Sequence, residues 1–226
     1  MKAIILAAGR GERMRPLTDH TPKPLLAVRG KRLIEWHLEA LAAAGVREVV
    51  INTAWLEECF PPLLGDGARF GLAIRYSTEG RDHGGALETA GGIAKALPWL
   101  GECFWVVSGD VFIPGFRFDA EAARRFAAGT RLGHLWLVPN PPHHPRGDFG
   151  IGSDGLALSV ATERFTWASV GLFRAGLVDG VVPGQKAALR PCLEAAIVQR
   201  RLGAELWTGE WTDVGTPERL AALNVT

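Results

Sequence analysis

Residues 6–18, LAAGRGERMRPLT, place two glycines and several arginines directly after an aliphatic stretch. Gly9 and Gly11 allow a ligand to approach the backbone closely and expose N–H donors, which suits a phosphate group. The stretch is not a Walker loop, because no Gly-Lys-Ser/Thr follows, and it lacks the third glycine of the dinucleotide fingerprint. Arg13 supplies positive charge, and Lys23 follows between two prolines that stiffen its loop. The pattern predicts a site for a polyphosphate or a sugar phosphate.

Two further arginines in this stretch are less informative. We interpret Arg10 as solvated surface charge. For Arg15 the residues leave both readings open, a helper at the anion site or a surface charge.

Two acids stand where a cation could be held. Asp110 ends the apolar run CFWVVSGD, and Asp213 lies in WTDVGT just before a helix pattern. Mg²⁺ typically takes one or two carboxylates together with phosphate oxygens. Either acid could instead cap a turn or begin a helix, so the residues alone leave both interpretations open.

Bulk properties exclude several classes of protein. The chain has 226 residues and a net charge of +1, so no global field attracts nucleic acid or an acidic membrane. No apolar run reaches the length of a membrane span, and MKAIILAAG lacks a signal peptide's long apolar region. Cys59, Cys103 and Cys192 have no Cys-x-x-Cys spacing, which favours free thiols over disulfides or a metal site. We therefore expect a cytoplasmic protein, a monomer or small homo-oligomer, with no nucleic-acid or membrane partner.

Strand and helix patterns alternate along the first half of the chain, which is typical of a doubly wound α/β sheet. The predicted strands cover 2–8, 46–52, 71–77, 103–110, 131–139, 167–174 and 204–215, with a hairpin over 149–161 that turns at Ser153-Asp154-Gly155. The predicted helices cover 31–44, 54–64, 86–97, 188–203 and 216–224.

These elements predict a Rossmann-like, mostly parallel sheet with helices on both faces and a small C-terminal lobe. We expect one domain over 1–226, made of two halves, 1–112 and 113–226. In such sheets, ligands bind beyond the carboxyl ends of the strands, near the switch in strand order. The expected site is built by residues 7–23, 78–89, 108–112, 139–150 and 211–216.

The motifs together resemble a known family. LAAGRGERMRPLT with TPKPLL is similar to the signature of the sugar-1-phosphate nucleotidyltransferases, in which a lysine follows the arginine after ten residues, as Lys23 follows Arg13. The resemblance continues through SGD and WTDVGTPERL. Within the family it is strongest to the N-acetylmuramate-1-phosphate uridylyltransferases of bacterial cell-wall recycling, through NTAWLEE, ALETAGGIAKAL and NPPHHPRGDF.

The resemblance implies transfer of a nucleotidyl group from a nucleoside triphosphate to a sugar 1-phosphate, with release of pyrophosphate. It implies that 1–112 is the nucleotide-binding half and 113–226 the sugar-binding half. It implies catalytic roles for Arg13, Lys23 and Asp110, and a Mg²⁺ ion held by Asp110 and Asp213. It implies nucleotide contacts from Ala7, Ala8, Gly9, Gly11, Glu12, Arg13, Lys23 and Gly109.

The same resemblance gives expectations for specificity. Glu79 is expected to accept the N3–H of uracil, with a backbone contact from Gly85, so that UTP is favoured and dTTP is next. The inserted RDHG at 81–84 leaves the register of Gly85 open.

On the sugar side, the expected contacts are Asn140, Gly147 and Asp148, and Arg146 is a hypothesis for the lactyl carboxylate of a muramic acid. His143 and His144 are interpreted as surface imidazoles on a lid rather than metal ligands. The alternatives are another sugar-1-phosphate uridylyl-, thymidylyl- or guanylyltransferase that uses glucose or mannose 1-phosphate, and an inactive binding protein with the same fold.

Overall fold

A computed structural model describes residues 1–225 of the chain. The strands are β1 (Lys2–Leu6), β2 (Ala27–Val28), β3 (Lys31–Arg32), β4 (Glu48–Thr53), β5 (Ala73–Thr78), β6 (Cys103–Ser108), β7 (Val111–Phe112), β8 (Gly133–Val138), β9 (Gly150–Ile151), β10 (Ala157–Leu158), β11 (Thr166–Arg174), β12 (Leu202–Leu206) and β13 (Thr212–Asp213). The helices are α1 (Leu33–Ala43), α2 (Phe60–Leu64), α3 (Glu79–His83), α4 (Glu88–Leu100), α5 (Ala120–Ala128), α6 (Arg190–Val198) and α7 (Pro217–Asn224).

Seven strands form one sheet in the order β12-β8-β11-β6-β1-β4-β5. β1 pairs in parallel with both β4 and β6, and only β11 runs antiparallel to its neighbours. The chain builds outward from β1 to β5 and then returns to the other side of β1 with β6. β1 and β6 are adjacent strands, but the loops that follow them lead to opposite sides of the sheet. The strand order therefore reverses between β1 and β6.

Both faces of the sheet are covered, because successive residues of each central strand point to opposite sides. Ala3 and Ile5 of β1 pack with Leu38 of α1 on one face. Ile4 packs with Ile93 of α4 on the other face. The predicted mostly parallel, doubly wound sheet with helices on both faces is confirmed. None of the helices in residues 1–225 combines the length and apolarity that a bilayer span requires.

Three small two-stranded sheets decorate the main sheet: β2 with β3, β7 with β13, and β9 with β10. The last of these is the predicted hairpin. The pairing of β7 with β13 brings the segment after Asp110 beside the segment that holds Asp213. The main sheet takes strands from both 1–112 and 113–226, and the division of these halves into nucleotide and sugar functions stays a prediction.

Several predicted boundaries are wrong for local reasons. The predicted helix over 54–64 begins only at Phe60. Pro61 and Pro62 lie in the first turn of α2, where the missing N–H of a proline costs the helix no hydrogen bond. The predicted strand over 204–215 is two separate strands, β12 and β13. The predictions contain no helix over Ala120–Ala128, yet α5 forms there, and the Asp119 carboxylate caps it by accepting from the N–H groups of Glu121 and Ala122.

His37 ties α1 to β7 from within the core. Its side chain is buried, and its Nε2–H donates to the carbonyl oxygen of Val111 at 2.9 Å. Burial lowers the pKa of His37 to about 4, against the opposing effects of the Val111 carbonyl and the Asp110 charge. The folded protein therefore holds this imidazole neutral at pH values where the unfolded chain protonates it.

We expect His37 to make stability depend on pH. Its contribution is complete above about pH 6.5 and is lost as pH falls towards 4, a decrease on the order of 3 kcal/mol in the free energy of unfolding. Urea unfolding between pH 7 and 4 should show a flatter profile for His37→Gln than for wild type. The exposed His20→Gln is the control and should keep the wild-type profile; equal profiles for wild type and His37→Gln would contradict the assignment.

Candidate active site

A cleft of about 560 Å³ opens at the carboxyl ends of β1 and β6, where the strand order reverses. The residues that line it are Leu6, Ala7, Ala8, Gly9, Arg10, Gly11, Glu12, Arg13, Met14, Lys23, Pro24, Asn52, Ala86, Glu88, Thr89, Ser108, Asp110 and Gly215. Four of the five predicted segments contribute to this lining, and residues 139–150 do not.

The glycine loop after β1 presents backbone donors to the cleft. In the described chain, the N–H groups of residues 8–11 make no hydrogen bond to protein. Gly11 has φ +66, and a Cβ there would meet Thr18 Cγ2 at 3.0 Å, so a side chain at this position would be strained. The Thr18 hydroxyl and the Met14 N–H both donate to the Gly11 carbonyl at 2.8 Å, which fixes the loop. Unpaired N–H groups in a glycine loop form a cradle for an anion.

Lys23 and Asp110 form the central ion pair of the cleft. Lys23 is only 7% exposed, and its Nζ lies 2.6 Å from Asp110 Oδ2. Ser108 Oγ donates to the other carboxylate oxygen at 2.6 Å. Burial by itself raises the pKa of Asp110, but the Lys23 charge and the two hydrogen bonds outweigh it, and the pKa lies below its usual range. The Asp110 carboxylate is therefore ionised at neutral pH.

The other arginines of the glycine loop divide between cleft and surface. Arg13 lines the cleft with an exposed side chain. Arg10 also lines it and stacks on the Trp55 ring at 4.5 Å from the ring centroid, so it is not an isolated surface charge. Arg15 pairs with Asp19 at 2.6 Å on the surface.

Asp110 and Asp213 lie on neighbouring segments. Asp213 is opposite Val111 in the pairing of β7 with β13, and the Val214 N–H donates to the Asp110 carbonyl at 2.9 Å. Asp213 Oδ1 contacts Arg219 Nη1 at 3.1 Å and His143 Nε2 at 2.7 Å, whereas Oδ2 accepts no hydrogen bond from described residues. No group of three or more His, Cys, Asp or Glu residues arranged for a metal occurs within 1–225. Two carboxylates on neighbouring segments are the kind of donor set that suits Mg²⁺ completed by phosphate oxygens.

Glu79 does not reach the cleft, which corrects the prediction that it reads a base. Its side chain is fully buried, with Oε1 accepting from Asn52 Nδ2 at 2.7 Å and Oε2 accepting from the Leu87 N–H at 2.8 Å. Burial is the largest influence on its pKa and raises it, although both hydrogen bonds oppose that effect. Because this carboxylate is fully buried and does not line the cleft, it does not meet a ligand there.

The wall expected from Gly85 is formed by its neighbours. Ala86, Glu88 and Thr89 line the cleft, and Glu88 has φ +59, an uncommon backbone conformation for a residue with a side chain. The RDHG insertion is part of α3, where Asp82 pairs with Lys95 at 2.6 Å. Gly109 lies behind the cleft rather than on it, with its N–H donating to the Leu6 carbonyl and Pro24 packed against it.

The predicted sugar contacts are not brought to the cleft. Asn140 Nδ2 donates to the carbonyls of Pro145 and Arg164, and Asp148 Oδ2 accepts from the Trp167 N–H at 2.8 Å. These two side chains therefore hold the shape of their own loop. Arg146 is exposed and lines a separate groove together with Asn140 and Glu163. The contact of His143 with Asp213 is the direct link between this loop and the cleft acids.

Asn52 is the functional residue that the sequence interpretation missed. It is the penultimate residue of β4, lies on the wall of the cleft, and its Oδ1 accepts from the Ala7 N–H at 2.9 Å. A polar amide after the buried run EVVI was the available signal, because a buried polar group requires a partner. Ser108, at the equivalent end of β6, offers the same signal.

Comparisons with known proteins agree with this geometry. The family model described as "Nucleotidyl transferase" matches residues 2–162. An N-acetylmuramate alpha-1-phosphate uridylyltransferase of Neisseria meningitidis serogroup B is 49% identical over 97% of this chain and 95% of its own length. A protein of the same name from Caulobacter vibrioides is 42% identical over 97% of this chain and 94% of its own.

A solved structure shows the same fold. A Bacillus anthracis protein described as a glucose-1-phosphate thymidylyltransferase, crystallised with sucrose, superposes with a TM-score of 0.83. The match covers 99% of this chain and 94% of that one at 21% sequence identity, so it supports the fold alone.

A substitution at Gly147 tests whether the contacts of Asn140 fix the conformation of residues 139–148. It has φ +58, and a Cβ there would meet Asn140 Oδ1 at 2.7 Å and the backbone of Arg164 and Phe165 at 2.9 Å. Gly155 has φ +70 with open space around it, so Gly155→Ala is the matched control. We expect Gly147→Ala to lower the free energy of unfolding by about 1–3 kcal/mol more than Gly155→Ala in urea titrations. Equal losses would show that the Asn140 contact does not constrain the loop.

Proposed function

We propose that this chain, which belongs to the nucleotidyl transferase family, joins UTP to N-acetylmuramate 1-phosphate and releases pyrophosphate. The observation that carries the proposal is the ion pair of the nearly buried Lys23 with Asp110, set beside unpaired N–H groups of the glycine loop. The two relatives named for this reaction, which match nearly the full length of the chain, support the choice of sugar and nucleotide.

The reaction requires positioning more than acid–base chemistry. A phosphate oxygen of the sugar 1-phosphate attacks the α-phosphorus of UTP, and the bond to the β-phosphate oxygen breaks to release pyrophosphate. The attacking oxygen is already anionic, so no strong general base is needed. The barrier arises from bringing two polyanions together, which fixed cations and backbone donors lower.

The cleft residues divide this work. The N–H groups of residues 8–11 cradle the phosphates of UTP, and the Arg13 guanidinium contacts the departing pyrophosphate with its planar set of donors. Lys23, held in place by Asp110, stabilises charge that develops on the α-phosphoryl group. An ion pair fixed before the substrate arrives costs little reorganisation during the reaction.

Asp110 and Asp213 are the residues we propose to hold Mg²⁺. When bound, the ion neutralises phosphate charge and polarises the α-phosphoryl group. The contacts of Ser108 with Asp110 and of Arg219 with Asp213 support this assignment, because they fix the orientation of both carboxylates. Arg146 stays a hypothesis for the lactyl carboxylate, through the groove that it shares with Glu163.

The proposed setting follows from the substrates. Nucleoside triphosphates are made in the cytoplasm, and N-acetylmuramate 1-phosphate belongs to the recycling of peptidoglycan. We therefore place the reaction in the cytoplasm, with two small molecules as its partners.

The direct test is pyrophosphate release with Mg²⁺ and UTP, comparing N-acetylmuramate 1-phosphate with the 1-phosphates of glucose, N-acetylglucosamine and mannose. We expect turnover with the muramate sugar at the highest kcat/KM. Preference for another sugar, or for dTTP or GTP, would contradict the proposed substrate specificity but not the proposed mechanism. No turnover with any pair from a folded sample would favour an inactive binding protein.

Lys23 should be essential to turnover. We expect Lys23→Met to lower kcat about 10²–10⁴-fold, since it removes a preorganised charge at the reacting phosphate. Lys186 is exposed and outside the cleft, so Lys186→Met is the control and should keep wild-type kcat. A Lys23→Met enzyme within about 3-fold of wild type would remove Lys23 from the mechanism.

The proposed metal acids can be tested separately. We expect EDTA to abolish turnover and Asp213→Asn to raise the Mg²⁺ concentration for half-maximal rate by about 10-fold or more. Glu163→Gln, at an exposed carboxylate outside the cleft, should leave that concentration unchanged. An unaltered Mg²⁺ requirement in Asp213→Asn would exclude Asp213 as a ligand.

A further inference from the structure

Two buried polar side chains bridge opposite walls of the cleft. Asn52 and Glu79 are 3% and 0% exposed. The Ala7 N–H donates to Asn52 Oδ1 at 2.9 Å, Asn52 Nδ2 donates to Glu79 Oε1 at 2.7 Å, and the Leu87 N–H donates to Glu79 Oε2 at 2.8 Å. This Asn52–Glu79 bridge thus runs without interruption from the backbone after β1 to the backbone that begins α4.

The polarity of the bridge is fixed at both ends. Each end is a backbone N–H, which can only donate, so the side chains must present an acceptor to Ala7 and another to Leu87. Asn52 must therefore turn its oxygen to Ala7 and its amide nitrogen to Glu79. Glu79 then faces two donors, and only a carboxylate supplies two acceptors.

The packing beside the bridge leaves no room for a side chain at position 92. A Cβ on Gly92 of α4 would lie 2.6 Å from both Asn52 Nδ2 and Glu79 Oε1. The backbone of α4 therefore packs directly against the bridge.

The walls that the bridge joins form one end of the cleft. Ala7, just before the glycine loop, lines one side, and Ala86, Glu88 and Thr89 line the other. In the proposed function the phosphates lie at the glycine loop and at the Lys23–Asp110 pair, so the space between Ala7 and residues 86–89 is assigned to the nucleobase. We propose that Asn52 and Glu79 are positioning residues that set the spacing of the nucleobase walls, without touching the base through Glu79. This inference rests on the proposed function for the identity of the nucleotide.

The bridge can be broken and rebuilt with its polarity reversed. In Glu79→Gln one donor must face another donor, and in Asn52→Asp a carboxylate oxygen must face Glu79 Oε1. In the double variant, the carboxylate introduced at position 52 accepts from the Ala7 N–H and from the amide introduced at position 79. The oxygen of that amide accepts from the Leu87 N–H. Every group is again paired, and the total charge of the two side chains equals that of wild type.

We expect each single variant to raise the Kd and KM for UTP about 10-fold or more, because a buried donor or acceptor is left unpaired. KM for the sugar phosphate should change less than about 3-fold, which separates positioning of the base from general loss of structure. The double variant should recover most of the UTP affinity. Glu58→Gln, at an exposed carboxylate outside the bridge and the cleft, is the matched control and should equal wild type.

Equilibrium binding of UTP is measured apart from turnover, so failure of the proposed reaction would not affect this test. Folded single variants with wild-type UTP affinity, or a double variant no better than the singles, would overturn the proposal. If the singles fold poorly, hydrogen exchange on wild type replaces them. The amides of Ala7 and Leu87 should gain protection when UTP binds, and unchanged protection at both would equally overturn it.

Discussion

A lysine ammonium that is 7% exposed requires a fixed negative partner, and this requirement organises the rest of the cleft. Asp110 meets it from the end of β6, while Lys23 approaches from a short turn between two prolines. The approach is possible because Gly109 lets Pro24 pack where a Cβ would lie only 3.2 Å from its ring. The ion pair therefore depends on the packing of a glycine against a proline as well as on its two charges.

Parallel strands supply the second constraint. β1, β4 and β6 all end at the same edge, so their last residues present backbone groups that no further strand pairs. Asn52 and Ser108 follow this rule at the ends of β4 and β6, and each directs a polar side chain to a neighbour. The loop after β1 leaves its own donors unpaired instead. Polar groups at the carboxyl ends of these strands thus serve two purposes. Some bond to neighbouring protein groups, and others stay unpaired and can bind a ligand.

The parts that sequence predicts well are those whose chemistry is local. Glycines, prolines and charges within residues 6–24 fix their own geometry, so the anion site and Lys23 could be predicted from spacing. Glu79 could not be placed, because whether a carboxylate faces a cleft or a buried amide depends on Asn52 and Leu87, which lie on other elements. The predictions for Asn140 and Asp148 were wrong for the same reason, because their hydrogen-bond partners at Arg164 and Trp167 are distant in sequence. α5 is an exception, because its alanine-rich sequence AEAARRFAA and the capping residue Asp119 were local signals that predict a helix.

The charges that line the cleft support the proposed metal. Arg10, Arg13 and Lys23 are opposed by Glu12, Glu88 and Asp110, so the lining has as many negative as positive groups. A nucleoside triphosphate and a sugar phosphate together bring several more negative charges into this balanced cleft. Backbone N–H groups offset part of that charge, but they carry no net charge themselves. A divalent cation at Asp110 and Asp213 would supply the positive charge that the side chains lack. It would enter the cleft bound to the phosphates of the substrates. A cleft lining with balanced charge also favours release of pyrophosphate, because a strongly cationic cleft would retain this anion after the reaction.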